Sequence, residues 1–327
     1  MNYRKAMKRN VTASVLLCIV CPLQGALAQS FPTKPVRFVV SFAPGGSTDT
    51  VARVLATSLS ERWRQQVVVD NRGGGGTIIA TEITSRALPD GHTFLIVDPS
   101  FAINPGLISK LPYDPFRDFE AVTVVASVPL MLAVNPAVPA KSVAELIALA
   151  RAKPGALSYA SSGIGGSSHM SAEILKAMTG ITMVHVPYKG GGPAAIDLIA
   201  GQVTMTFQGI PALLPHVQAG RLRALAVTSA KRSAAVPETP TVAESGLPGY
   251  EVISWQGIFT PAGVPKQIVL KLQTDLSEVA NLPNVKSRLA AVGAEPVGST
   301  PQQFAAYLKS QIETYARVIR AADIRPE

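Results

Sequence analysis

Two turns rich in glycine and serine, residues 43–49 and 161–169, restrict the folds open to this chain. Each follows an apolar run typical of a buried strand and leads into an amphipathic run typical of a helix. Strand, tight turn and helix form the repeating unit of α/β folds. A helix start presents unpaired N–H groups with partial positive charge, and glycine lets a ligand approach the backbone. The two turns therefore indicate two halves that grip one small anion, with an ordinary turn without a ligand as the alternative for either loop alone.

The side chains in these turns have predicted roles. Ser47 or Thr48 can cap the first helix. Asp49 lies in the first helical turn, where a carboxylate stabilises the helix dipole. We expect Asp49 to hold the loop by accepting hydrogen bonds and not to touch the anion. His169 is expected to donate a hydrogen bond into the cleft or to brace its own loop.

The glycine-rich segments lack the motifs of nucleotide sites. The P-loop pattern is absent, Gly73-Gly-Gly-Gly76 lacks the third glycine of a dinucleotide fingerprint, and Gly190-Gly-Gly192 fits only its loosest variant. The net charge of +9 comes from scattered Lys and Arg residues, and aromatic residues make up 6% of the chain. Nucleic-acid binding needs a basic stripe with stacking residues, so we expect no nucleic-acid partner.

The first 28 residues have the pattern of a signal peptide. Four basic residues precede the apolar segment 11–23, and Ala26-Leu-Ala28 matches a cleavage site before Gln29. The apolar segment is too short to cross a bilayer, which needs about 20 residues. Cys18 and Cys21 lie inside the leader and lack the small preceding residue that lipid attachment uses. We expect a periplasmic protein, cleaved after Ala28, whose mature chain has no cysteine.

The sequence gives little support for catalysis or metal binding. The nearest pair of its four histidines, His169 and His185, is 16 residues apart, which does not suit a helical or hairpin metal pair. Ser161, His169 and Asp49 could assemble a hydrolase triad, but the chain has no Gly-x-Ser-x-Gly motif. We therefore expect a protein without a cofactor, a metal or catalytic residues.

Strand and helix patterns alternate along the chain, which predicts α/β sheets with mostly parallel strands. The predicted strands are 36–42, 67–70, 93–97, 122–126, 130–134, 157–160, 184–186, 203–207, 222–228 and 255–259. The predicted helices are 49–63, 77–87, 142–153, 168–179, 193–200, 266–280 and 301–321.

Two apolar runs, 122–134 and 253–259, flank a middle segment with its own strand and helix patterns. If both runs cross between two halves, residues 129–252 form one domain. Residues 29–128 and 253–327 then form the other, discontinuous domain.

Several short motifs, weak one by one, occur together in a characteristic order. They are Pro32-Thr-Lys-Pro35, Phe42-Ala-Pro-Gly-Gly-Ser-Thr-Asp49, Pro89-Asp-Gly-His-Thr93, Leu111-Pro-Tyr-Asp114, Tyr159-Ala-Ser-Ser-Gly163 with His169, His185-Val-Pro-Tyr-Lys-Gly190, Gly201-Gln-Val203, Leu222-Arg-Ala-Leu-Ala-Val-Thr228 and Pro240-Thr-Val-Ala-Glu244. With these motifs the chain closely resembles the extracytoplasmic solute receptors of tripartite tricarboxylate transporter systems, the Bug family. The resemblance covers essentially the whole mature chain.

The resemblance implies a type II periplasmic binding protein: two Rossmann-like domains joined by two crossing strands, closing around a small carboxylated solute. It also implies that one ligand carboxylate lies between the first-domain loop, 43–49, and the second-domain serine loop, 161–169, held partly through ordered waters. The ligand-binding residues carried over by position are Phe42, Ala43, Gly46, Ser47 and Thr48 in the first domain and Ser161, Ser162, Gly163, Ser168 and His169 in the second, with Asp98, Ser100 and Tyr188 as wall residues.

The chain departs from the family pattern at two places. The sequence Asn71-Arg-Gly-Gly-Gly-Gly76 lacks an alanine that relatives usually carry, and Phe207-Gln208 stands where relatives commonly have Phe-Asp. Loss of this carboxylate predicts that Gln208 contacts the ligand and tolerates a neutral or anionic group, without selecting for ammonium. The alternative is that Gln208 only braces its loop.

The resemblance implies a non-catalytic, monomeric receptor that delivers its solute to an inner-membrane permease. A ligand-sensing receptor that feeds a signalling system, and a secreted serine hydrolase, are the alternatives. The identity of the carboxylate does not follow from the sequence.

Overall fold

The computed structural model describes residues 31–321 and residue 324. The predicted leader, 1–28, and the cleavage site before Gln29 lie outside these residues. The described residues belong to one compact unit.

Ten strands form a continuous mixed sheet in the described part of the chain. Its order is β2-β1-β3-β9-β4-β7-β5-β6, with β8 and β10 also paired to β4. The strands are β1 (Val36–Val40), β2 (Val67–Asn71), β3 (Thr93–Val97), β4 (Phe119–Val134), β5 (Ser158–Ser161), β6 (Val184–Pro187), β7 (Met205–Gly209), β8 (Arg223–Val227), β9 (Ile253–Pro261) and β10 (Glu295–Pro296).

The centre of the sheet is antiparallel, which corrects the prediction of mostly parallel strands. Strands β1, β2 and β3 pair in parallel, as do β5, β6 and β7. Strands β7, β8, β9 and β10 all pair antiparallel to β4. The prediction divided β4 into two strands, 122–126 and 130–134, because Ser127 and Pro129 interrupt the apolar run.

Ten α-helices cover the sheet in the described residues, and Gly75–Thr77 adds a short 3-10 helix. None of these helices combines the length and apolar character needed to cross a membrane. The helices are α1 (Ser47–Trp63), α2 (Ile78–Ser85), α3 (Ser100–Leu107), α4 (Val143–Ala152), α5 (Ser167–Thr179), α6 (Gly191–Ile199), α7 (Ile210–Gln218), α8 (Lys266–Asn281), α9 (Pro283–Ala291) and α10 (Pro301–Ala321).

The sequence patterns missed three of the helices. Helix α3 contains Pro105 and α7 contains Pro215, and proline inside a helix removes a backbone donor and argues against a helical prediction. Helix α9 begins at Pro283, two residues after α8 ends, so its pattern merged with the preceding connection.

The sheet carries separate apolar clusters on its two sections. We call the section with β1, β2, β3, β9 and β10 the first lobe and the section with β5 to β8 the second lobe; β4 belongs to both. Val128 packs into a cluster with α1 and α8, whereas Leu130, two residues further along β4, packs with α4 and α5. The chain returns to the first lobe at Val252, whose N–H donates to the Thr228 carbonyl before β9 begins. Two segments therefore cross between the lobes.

Candidate ligand cleft

A narrow cleft lies at the crossing strands, between the two lobes. The lining residues are Phe42, Gly46, Ser47, Thr48, Asp98, Val128, Leu130, Ser162, Ser167, Ser168, Gly191, Gln208, Gly209, Ser254 and Gln256.

Four helices begin at this cleft: α1, α5, α6 and α7. Helix α1 starts at Ser47 with Gly46 as its N-cap, and α5 starts at Ser167 with Gly166 as its N-cap. Neither N-cap makes a side-chain hydrogen bond, so the predicted capping by Ser47 or Thr48 is wrong; both residues lie inside the helix. Uncapped starts leave N–H groups and partial positive charge available to an anion.

The starts of α1, α6 and α7 lie close together and form what we call the helix-start group. A Cβ on Gly46 would lie 3.4 Å from the Gly191 nitrogen, and a Cβ on Gly209 would collide with the Ser47 hydroxyl. The Gln208 amide oxygen lies 2.7 Å from where a Cβ of Gly191 would be. The buried Gln208 amide nitrogen has no hydrogen-bond partner among the residues that the structure describes. This side of the cleft therefore offers donors to an anionic group.

A second set of lining residues, which we call the Asp98 group, surrounds a carboxyl group that is 5% exposed. Asp98 accepts hydrogen bonds from the Ser100 N–H at 2.9 Å, from the Ser100 hydroxyl, and from the Ser167 hydroxyl at 2.8 Å. The Ser254 hydroxyl is 3.3 Å from that of Ser167 and accepts from Gln256 at 3.4 Å. Burial raises the pKa of Asp98 although these hydrogen bonds act to lower it.

Asp49 holds the loop that precedes α1. Its carboxylate accepts from the Gly45 N–H at 3.0 Å and from the Asn71 side chain at 2.9 Å. Arg53, one turn further along α1, pairs with both carboxylate oxygens at 3.0 Å. Asp49 is not among the residues that line the cleft.

The loop before α5 is held by its own side chains. The Ser168 hydroxyl accepts from the Ser162 N–H at 2.8 Å and lies 2.9 Å from the Ser162 hydroxyl. His169 is 3% exposed, and its Nδ1 accepts from the Gly165 N–H at 3.2 Å. This contact has the loop-bracing geometry that was one of the two alternatives for His169.

Ser161 pairs with a different histidine from the one considered for a hydrolase. Its fully buried hydroxyl lies 2.6 Å from His185 Nε2 and also donates to the Gly163 carbonyl. The His185 ring stacks between those of Tyr159 and His169, at 4.7 and 4.3 Å between ring centroids. Asp49 is engaged in the first lobe, so the triad of Ser161, His169 and Asp49 does not form.

The predicted ligand-binding residues divide into two sets. Eight line the cleft: Phe42, Gly46, Ser47, Thr48, Asp98, Ser162, Ser168 and Gln208. The other six support the loops around it: Ala43, Ser100, Ser161, Gly163, His169 and Tyr188. The Tyr188 hydroxyl donates to Asp197 of α6 at 2.7 Å, and burial, together with this carboxylate, raises the Tyr188 pKa to about 12.

Sequence reasoning missed seven lining residues: Val128, Leu130, Ser167, Gly191, Gly209, Ser254 and Gln256. Two pairs carry a signal that could have revealed them. Val128 and Leu130 on β4, and Ser254 and Gln256 on β9, are each two residues apart, and alternate residues of a strand face the same side.

The lobes touch each other around the cleft. The Ala43 N–H donates to the Lys189 carbonyl at 3.0 Å, and the bond from Ser167 to Asp98 also joins the second lobe to the first. Gly192 of α6 packs so closely on the Pro44 carbonyl that a Cβ there would collide with it. The two lobes are thus in direct contact beside the cleft.

Comparison with known proteins identifies the family. The family model described as Tripartite tricarboxylate transporter family receptor matches residues 51–324. The chain belongs to this family. Protein BugT of Bordetella pertussis is 37% identical over 295 residues, which cover 90% of each chain. The resemblance inferred from the sequence motifs is therefore confirmed.

Solved structures of family members share the fold. Rpa4515 of R. palustris, solved with adipate, is 40% identical, has a TM-score of 0.88, and is matched over 91% of this chain and all of its own. MatC from Rhodopseudomonas palustris, solved with bound malate, is 31% identical with a TM-score of 0.84, over 88% of this chain and all of its own. The predicted periplasmic binding protein fold, with two domains joined by two crossing strands around a cleft, is confirmed. Family members are periplasmic solute receptors, some of them with carboxylate ligands.

Proposed function

We propose that this chain is a periplasmic receptor that captures a small carboxylate in the cleft between its lobes. The observation that carries the proposal is the meeting of four helix starts at a cleft that has no Lys, Arg or His among its described lining residues. Backbone N–H groups at helix starts bind anions. The carboxylate ligands of Rpa4515 and MatC support the same class of solute.

The proposed boundaries are residues 29–128 with 253–327 for the first domain and 129–252 for the second. They follow the change of apolar cluster between Val128 and Leu130, and between Val252 and Trp255. The cross-lobe contacts of Ala43 and Asp98 support a mechanism in which the ligand enters an open form and stabilises the closed one.

We further propose that the chain is exported with cleavage after Ala28, acts as a monomer without catalysis, and hands its solute to an inner-membrane permease of the tripartite tricarboxylate type. The leader pattern and the family support this assignment. The complete burial of Ser161 speaks against a reactive serine.

A thermal-shift screen tests the proposed function. Mono-, di- and tricarboxylates, amino acids and aromatic acids are added to mature protein, because a ligand that binds the native state raises its melting temperature by mass action. We expect the largest shifts from carboxylates, confirmed by calorimetry with one site per chain. The proposal fails if no carboxylate shifts the melting temperature, or if a hit is consumed by the protein.

A further inference from the structure

Asp98 is the one ionisable side chain among the described residues that line the cleft. It lies at the end of β3, in the first lobe, and its carboxyl group is nearly inaccessible to solvent. No positively charged side chain lines the cleft beside it, so a bound anion would share a poorly hydrated space with a second carboxyl group.

The elements packed around Asp98 supply few charges. Ser100 of α3 and Ser167 of α5 donate hydrogen bonds to it, and β9 contributes Ser254 next to Ser167. From α10, Tyr315 is an ionisable group that senses the Asp98 charge: burial raises the Tyr315 pKa, and the charges of Tyr307 and then of Asp98 raise it further. A neutral phenol and three hydroxyls cannot neutralise two carboxylates.

Resting on the proposed function, we propose that a dicarboxylate is captured together with one proton, which is shared between Asp98 and the ligand carboxyl group nearest to it. The other ligand carboxylate faces the helix-start group, where the Gln208 amide nitrogen and the starts of α1, α6 and α7 provide donors. The helix starts thus hold one ligand carboxylate, and Asp98 determines whether the second carboxyl group binds with or without a proton.

Repulsion between like charges determines whether the ligand affinity rises or falls with pH. Two carboxylates that share a poorly hydrated site cannot both stay ionised, so one pKa rises when the ligand binds. Provided that Asp98 is ionised in the free protein, the complex then holds more protons than the free protein and free ligand, and the affinity falls as pH rises. A full proton corresponds to about a tenfold loss of affinity per pH unit.

Adipate and hexanoate form a matched pair of probes, since both have six carbons but hexanoate has one carboxylate. Calorimetry in two buffers of different ionisation enthalpy counts the protons taken up on binding. Between about pH 6.5 and pH 8.5 both free ligands are fully ionised, because ordinary carboxyl groups titrate near pH 4. We expect uptake of close to one proton with adipate and close to none with hexanoate.

Three variants assign the proton to Asp98. Asp98→Asn, close in shape to the native residue, should bind adipate without proton uptake and with a flat pH profile. Ser100→Ala removes one hydrogen bond to the carboxylate while Asp98 remains, and should move the adipate profile to higher pH. Glu120→Gln, an exposed position on β4, is the control and should leave the proton uptake unchanged.

The outcomes separate this inference from the proposed function. Adipate binding without proton uptake, or uptake that persists in Asp98→Asn, overturns the inference while the receptor function stands. Failure of both adipate and hexanoate to bind, along with every other carboxylate in the screen, overturns the proposed function itself.

Discussion

Gly192 offers the sharpest test of domain closure because the nearest contacts of a side chain there are with the opposite lobe. The three atoms nearest to a Cβ at this position belong to Pro44 and Gly45 of the first lobe, whereas Gly192 lies on α6 of the second. The Pro44 carbonyl oxygen is the closest, and Gly45 atoms follow at 3.3 and 3.4 Å. Gly192→Ala should therefore leave the open form intact and hold the closing lobes apart.

The magnitude follows from the contacts that closure forms. The added methyl group would prevent the hydrogen bonds from Ala43 to Lys189 and from Ser167 to Asp98. At about 0.5–1.5 kcal/mol for each hydrogen bond, the closed form would lose about 1–3 kcal/mol of stability relative to the open form. Since 1.4 kcal/mol is a tenfold change, the carboxylate affinity should fall about 5- to 150-fold. Displacement of the helix-start group from the ligand acts in the same direction.

Calorimetry of carboxylate binding, with small-angle scattering of the free and saturated protein, measures this effect. Pro193 follows Gly192 and disfavours a helical residue with a Cβ before it, so the substitution is also made in a Pro193→Ala background. Ile196→Ala, at a position of the same helix that is 64% exposed, controls for changes in helix stability. Unchanged affinity in Gly192→Ala, together with the same decrease in radius of gyration as the native protein, would refute the closure mechanism.

Three further experiments test separate parts of the protein. Asp49→Ala should lower the free energy of unfolding by about 1–3 kcal/mol, because it leaves the donors of Gly45 and Asn71 without an acceptor. Asp49→Asn should lower it less, and equal losses in urea titrations would contradict this. Burial lowers the His185 pKa to about 4 against about 6.5 in the unfolded chain, so the unfolded state binds more protons between these values and stability should fall as pH drops through this range. His185→Gln should make the melting temperature nearly independent of pH over that range. An unchanged slope would show that other groups cause the pH dependence. Mass spectrometry of periplasmic protein should find a chain that starts at Gln29, and an intact Met1 would exclude the proposed leader.

The strands and helices that could be predicted from the sequence are those with a clear local residue pattern. The apolar runs of β1, β3 and β7 fix buried strands, and the amphipathic pattern fixes α1 and α10, so these elements lie within a few residues of their predicted bounds. The direction of the central strands was not predictable in this way. Whether β9 runs parallel or antiparallel to β4 depends on the crossing of the chain between the lobes, which leaves no periodic signal in either strand.

The cleft shows the same division between local and long-range information. Gly46, Ser47 and Ser168 were predictable because a glycine-rich turn before a helix is a local pattern that places backbone donors at a helix start. Ser254 and Gln256 line the cleft because β9 pairs with β4 over more than a hundred intervening residues, a contact that no local pattern records. The cleft lining does not include Ser100 and Tyr188, which the family resemblance gave as wall residues, or His169, because sequence proximity to a loop does not reveal which side of it a side chain faces.

The absence of basic side chains among the described lining residues fits a receptor that must release its solute as well as bind it. A buried Arg or Lys would need a partner whenever the cleft is empty, since an unpaired buried charge is costly. Helix starts carry only partial charges and can be hydrated by water when the lobes open. Closure removes that water and strengthens the same dipoles, because electrostatic interactions grow as the local dielectric constant falls. Under the proposed closure mechanism, the binding strength of such a cleft depends on the distance between the lobes, and the contacts of Asp98 with Ser167 and of Ala43 with Lys189 help to set this distance.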